Sequence, residues 1–98
     1  MYKVILLPLA KEDIREAVLW YNNQQLGLGK RFTKEIRKKV AVIKENPFTF
    51  SIRYQNVRTA NIDIFPFMIH FVVEEDAILI SSVFHTSLDH NKWSKRQE

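Results

Sequence analysis

The spacing of apolar positions changes character three times along the chain. Residues 2–7 form a β-branched and aliphatic run that predicts a first strand, ended by Pro8. From Ala10 the period turns helical. Ile14, Ala17, Val18 and Tyr21 recur at i, i+3, i+4 and i+7 and make one apolar stripe. Glu12 and Asp13 are then expected in the first turn, where the helix dipole favours acidic side chains. Asn22 and Asn23 are expected to fray this helix, and Gly27 and Gly29 to form a short connection. A second helix follows, with Leu28, Phe32, Ile36, Val40 and Ile43 on its buried face. Pro47 stops it, because the residue before a proline is pushed out of the helical region. So short a link between helices predicts an antiparallel hairpin.

Beyond Pro47 the period becomes two. Residues 57–64 alternate, with Arg58, Ala60, Ile62 and Ile64 on one face. Pro66 sits at the turn into the next strand, where its missing N–H does little harm. Phe67, Ile69, Phe71 and Val73 then point one way, and Met68, His70 and Val72 the other. Glu74, Glu75 and Asp76 read as a polar turn before a last strand over residues 77–85. There Ile78, Ile80, Ser82 and Phe84 are expected opposite Leu79, Ser81, Val83 and His85. Residues 86–98 are polar and basic, with a short helix expected around Trp93. The fold class is therefore α+β in one domain over residues 1–98: an N-terminal strand, an antiparallel two-helix hairpin, then an antiparallel β-meander packed against the helices.

Composition narrows the class of protein. A 98-residue chain with 46% hydrophobic and 27% charged residues, two Gly and three Pro is globular, though it can bury only a modest core. It has no cysteine, which excludes disulfides and thiolate metal sites and fits a reducing cytoplasm. No apolar run approaches the roughly 20 residues needed to span a bilayer, and the N-terminal run reads as a strand, not a leader. A formal net charge of +4 suits an acidic partner such as nucleic acid, the ribosome or an acidic protein segment; ordinary solubility accounts for it equally well.

No phosphate loop, metalloprotease motif or nucleophile elbow is present, and the histidines lack metal-ligand spacing, so no cofactor and no metal are expected. What remains is acid–base chemistry or binding. His85, at a strand end with Ser87 and Asp89 close behind, carries an imidazole that can serve as a general acid or base; equally it can cap the sheet. His70 reads either as a packed mid-strand residue or as one on an open sheet face. Arg58 and Arg53 can grip phosphate bidentately or stand as exposed strand arginines. The second helix carries Lys30, Arg31, Lys34, Arg37, Lys38, Lys39 and Lys44, a row that suits a nucleic-acid backbone or a solvated face. Lys92, Lys95 and Arg96 add a basic tail. Trp20, Tyr21 and Trp93 read as packing residues, because they are not interleaved with basic residues on one strand as base-stacking platforms are.

Several stretches, in this order and spacing, resemble the RelE/ParE superfamily of toxins from type II toxin–antitoxin systems. They are Leu9-Ala10-Lys11-Glu12-Asp13-Ile14, Trp20-Tyr21, Leu26-Gly27-Leu28-Gly29-Lys30-Arg31-Phe32 and Glu45-Asn46-Pro47. Val57-Arg58, Phe65-Pro66-Phe67, Val83-Phe84-His85-Thr86-Ser87 and Trp93-Ser94-Lys95-Arg96 complete the series. The resemblance implies a cytoplasmic growth inhibitor neutralised by a cognate antitoxin, whose flexible and often acidic segment folds on binding. The basic second helix and the sheet edge would be its contacts. It also implies one of two targets. RelE-like members cut mRNA on the ribosome; ParE-like members poison DNA gyrase. The arginine that RelE-like members usually carry on the third strand is matched here by Met68, and Leu88 stands where many relatives have a further arginine. That favours the gyrase reading. Arg58, His70 and His85 are the residues from which a ribonuclease site of another design would be built, and Arg31, Lys34, Arg37, Lys38, Arg53, Lys92, Lys95 and Arg96 those that would bind nucleic acid or a partner. A non-toxic binding module of the same fold is the remaining alternative.

Overall fold

A computed structural model describes residues 2–87. The elements run β1 (Lys3–Leu6), α1 (Pro8–Gln24), α2 (Leu28–Glu45), a 3-10 turn (Pro47–Thr49), β2 (Ile52–Tyr54), β3 (Val57–Asn61), β4 (Phe67–Glu74) and β5 (Ala77–His85). The five strands make one mixed sheet in the order β1-β5-β4-β3-β2, with the two helices packed on one face. The α+β layering expected from the sequence is present. The meander is antiparallel from β2 to β5, and β1 joins its far end in parallel with β5, Val4 opposite Ile78 and Leu6 opposite Ile80. The short strand β2 had no counterpart among the sequence expectations.

Helix α1 starts earlier and ends later than its apolar period predicts. Pro8 ends the strand and at once occupies the first helical turn, where a missing N–H costs nothing. Glu12 and Asp13 therefore fall beyond the first turn, which holds no acidic residue. Asp13 bonds across the fold instead: its Oδ2 accepts the Val83 backbone N–H at 2.9 Å. β1 runs beside β5 only as far as Ile80, so this carboxylate covers a donor on the part of β5 that has no outer strand. Nor does the helix fray at Asn22 and Asn23. It continues to Gln24, and Asn22 Oδ1 accepts the Gly29 N–H at 2.9 Å, joining the two helices.

Gly27 caps α2 in the left-handed region, φ 89°, where a side chain would be strained. Gly29 is not part of the connection but lies inside α2, pressed against α1. A Cβ there would stand 2.7 Å from the Val18 carbonyl oxygen. The core between helices and sheet collects Phe32, Ile36 and Ile43 from α2, Ala10 and Ala17 from α1, and Ile69, Phe71, Ile78, Ile80 and Val83 from the sheet. Phe32 lies at its aromatic centre, with ring centroids 5.5 Å from Tyr21, 5.3 Å from Phe65 and 5.0 Å from Phe67.

Two departures in the strands bear on the candidate site. β3 ends at Asn61, so Ile64 does not continue the face of Arg58 and Ala60. It lies in the following loop at φ 74°, largely exposed. In β5 the register shifts: His70 pairs with Ser82, but Phe71 pairs with Ile80, leaving Ser81 as an extra residue. A bulge of this kind reverses the in–out alternation beyond it. Ile78 and Ile80 face the helices, but Ser82 and Phe84, expected on the same face as those two, turn to the opposite one past the bulge, and Val83 and His85 take the helix side.

Candidate functional site

The three residues from which acid–base chemistry was expected occupy three different environments. His70 stands on the sheet face away from the helices. It is wholly buried, so that face is not open at this point. Its Nδ1 lies 3.1 Å from the Tyr54 hydroxyl, and its ring meets Phe84 edge-on at 5.1 Å. Tyr54 from the short strand β2 and Phe84 from β5 both pack against this histidine. His85 is on the opposite face, exposed at the end of β5. Its Nδ1 accepts the Ser87 backbone N–H at 3.1 Å, with the Ser87 hydroxyl at 2.7 Å. These bonds bind it into the local chain reversal.

Arg58 shares the helix-facing side with His85, but it pairs with Phe71 whereas His85 pairs with Phe67. The strand rise alone separates those rows by about 13 Å. Arg58 donates to the Phe50 carbonyl oxygen at 2.6 Å, and its guanidinium lies 5.0 Å from the centre of the Phe48 ring. It fastens the segment after α2 to the sheet. No point in space is within reach of Arg58, His70 and His85 together. The bulge at Ser81, which has no local sequence signature, is what puts His85 on the opposite face of the sheet from His70.

Two surface features do bring side chains together. The first is a groove of about 540 Å³ along the first half of α2, lined by Gly27, Lys30, Arg31, Thr33, Lys34 and Arg37. Of the predicted binding residues, Arg31, Lys34 and Arg37 are here. Lys38 is not. Its Nζ sits 3.3 Å from Oε1 of Glu35, a carboxylate buried on the same helix, so Lys38 neutralises a charge of its own chain. Arg53 stands exposed on the edge strand β2, apart from the groove. Lys92, Lys95, Arg96, Leu88, Asp89 and the helix expected around Trp93 lie outside the described residues.

The second feature is an apolar cleft of about 340 Å³ between α1 and the end of the sheet, lined by Ala17, Trp20, Tyr21, Pro66, Phe67 and His85. Trp20 is 57% exposed at its rim, and burial pushes the Tyr21 phenol above its ordinary pKa. The sequence pattern assigns Trp20 and Tyr21 to packing alone. The signal available was the position of Trp20 one residue before the end of the apolar stripe, which turns its indole toward the edge of the helix interface. Among the described residues no cluster of side chains could hold a metal ion, and no helix is long and apolar enough to cross a membrane.

Among the described residues the arrangement offers two concave surfaces along the helices and no convergent set of acid–base groups. Residues 4–89, nearly the whole chain, match the family model described as ParE toxin of type II toxin-antitoxin system, parDE. The chain belongs to the ParE toxin family. It is the toxin component of a type II toxin–antitoxin system, whose partner is an antitoxin. The architecture of this ParE toxin agrees. It is similar to a solved structure titled "Chromosomal ParDE TA system from P. aeruginosa", with a TM-score of 0.79 at 16% identity over 89% of this chain and 98% of the other. At that identity the likeness concerns the fold. No curated protein sequence matches the chain. The match bears out both the superfamily resemblance and the preference for its ParE branch.

Proposed function

We propose that this ParE toxin acts in the cytoplasm by binding DNA gyrase and arresting it on DNA, and not by cleaving mRNA. Membership of the ParE family supports the reading. The observation that carries it is the dispersal of Arg58, His70 and His85. General acid–base cleavage of RNA needs a base within hydrogen-bond reach of the 2′-hydroxyl and a cation on the same phosphate. Here one histidine is buried against Tyr54 and Phe84, the other lies across the sheet, and the arginine is bonded to a backbone carbonyl. Poisoning by binding requires none of these groups to converge.

The test uses purified toxin with gyrase, relaxed plasmid and ATP, and in parallel with ribosomes and mRNA. The expected result is loss of supercoiling with accumulation of cleaved plasmid, and mRNA left intact. His85→Ala is expected to keep the gyrase effect within about twofold, since an exposed surface substitution changes little. Ribosome-dependent mRNA cleavage that disappears in His85→Ala, with gyrase unaffected, would overturn the proposal.

A further inference from the structure

We propose that the groove along the first half of α2 is a phosphate-binding track for duplex DNA, with Lys30, Arg31, Lys34 and Arg37 as its cations. All four line one depression, together with Gly27 and Thr33. None of them makes an ion pair among the described residues. Lys30 and Lys34 are four apart, Arg31 and Lys34 three, Lys34 and Arg37 three. Like charges at these spacings repel and weaken a helix, so the row costs stability until an anion neutralises it. Lys38 provides the contrast, because the same helix supplies Glu35 to balance that cation and supplies no acid to the groove. From Lys30 to Arg37 the helix rises about 10 Å. One strand of DNA presents about three phosphates over that length.

The alternative occupant of a basic groove is an acidic protein segment. Protein interfaces draw most of their energy from aromatic and arginine anchors seated in desolvated pockets, and arginines alone, such as Arg31 and Arg37, do not make such a pocket. Among the described residues, none that lines this groove has an aliphatic or aromatic side chain. The apolar side chains that could anchor a protein are elsewhere, around Trp20 and the cleft of Ala17, Tyr21, Pro66 and Phe67. A phosphate backbone asks only for charge and hydrogen-bond donors, which is what Lys30, Arg31, Lys34 and Arg37 provide. The gyrase reading gives this track its setting, since the enzyme holds duplex DNA. The binding itself is a property of the toxin alone, so the two ideas can fail separately.

The experiment measures fluorescence anisotropy of a short labelled duplex of mixed sequence with the toxin freed from its antitoxin. With about three phosphates neutralised, the slope of log affinity against log salt is expected near about −2.7, an affinity loss of about 40-fold between about 50 and about 200 mM salt. The variant Arg31→Gln, Lys34→Gln, Arg37→Gln is expected to lose on the order of 100-fold at the lower salt and to flatten the slope toward about −0.9. A control, Lys3→Gln, Lys11→Gln, Lys44→Gln, removes the same net charge from other surfaces and is expected to lose only about threefold. Circular dichroism confirms that both variants are folded. The track is disproved if the wild type does not bind the duplex at the lower salt, or if both variants lose affinity equally. It is also disproved if the groove variant keeps DNA and loses the antitoxin, which would assign the groove to the protein partner. Duplex binding that holds while gyrase is untouched would remove the gyrase reading and leave the track in place.

Discussion

Replacing Phe32 with alanine removes the side chain on which the helical hairpin and the sheet are jointly packed. Phe32 has no exposed surface and touches three other rings, Tyr21 from α1 and Phe65 and Phe67 from the loop and strand opposite. Burying a phenylalanine fully contributes about 1.5–3 kcal/mol by transfer alone. The void adds to this, because the walls around the ring belong to separate elements and cannot all move inward. Two of the three ring pairs are edge-to-face and are lost as well. The sum is about 4 kcal/mol, within the usual range for aromatic-to-alanine changes in cores. A domain of this size has about 5–15 kcal/mol in total, so the variant is expected to fold but with a Tm lower by about 15–30 °C. Urea unfolding followed by circular dichroism, fitted with a shared m-value, gives the number directly. A loss below about 1 kcal/mol would mean that Phe32 faces solvent or that the cluster repacks freely, and would refute the account of the core.

Other outcomes follow from the contacts between helices and sheet. Gly29→Ala is expected to destabilise by about 1–3 kcal/mol, because its Cβ would meet the Val18 backbone oxygen at 2.7 Å, and this outweighs the roughly 1 kcal/mol gained in helix propensity. The same urea titration reads it, and a more stable variant would show that the helices do not approach so closely. Asp13→Ala is expected to cost about 1–3 kcal/mol by leaving the Val83 N–H without its acceptor, while Asp13→Asn keeps an oxygen there and most of the stability. Hydrogen exchange at the Val83 amide should accelerate in the first variant and stay slow in the second; equal protection in both would remove Asp13 from the edge of β5.

Much of this protein was legible in its periodicity. A stripe at helical spacing is enough to identify Phe32, Ile36 and Ile43 as core, because a helix of this amphipathicity has only one way to hide them. Alternation in β4 separated Phe67, Ile69 and Phe71 from Met68, His70 and Val72, and the two sets do lie on opposite faces. The ends of α1 were less legible. Pro8 and Asn22 are ordinary breakers in a local reading, but one suits a first turn and the other finds its partner on the next helix.

The candidate site was the least legible part, and the reason is geometric. The residues themselves, their charge and the superfamily they resemble were determined by the sequence alone, since composition and spacing are local properties of the chain. Where those residues point was decided by pairing between segments far apart. The parallel contact of β1 with β5 joins residues more than seventy positions apart. The extra residue at Ser81 exists only by reference to β4, because Ser81 and Ser82 are equivalent to a local reading and either could continue the alternation. That one-residue shift puts His85 on the helix side, across the sheet from His70. A strand has a period of two, so a single unpaired residue exchanges the faces of everything after it, and only the partner strand determines where that residue falls.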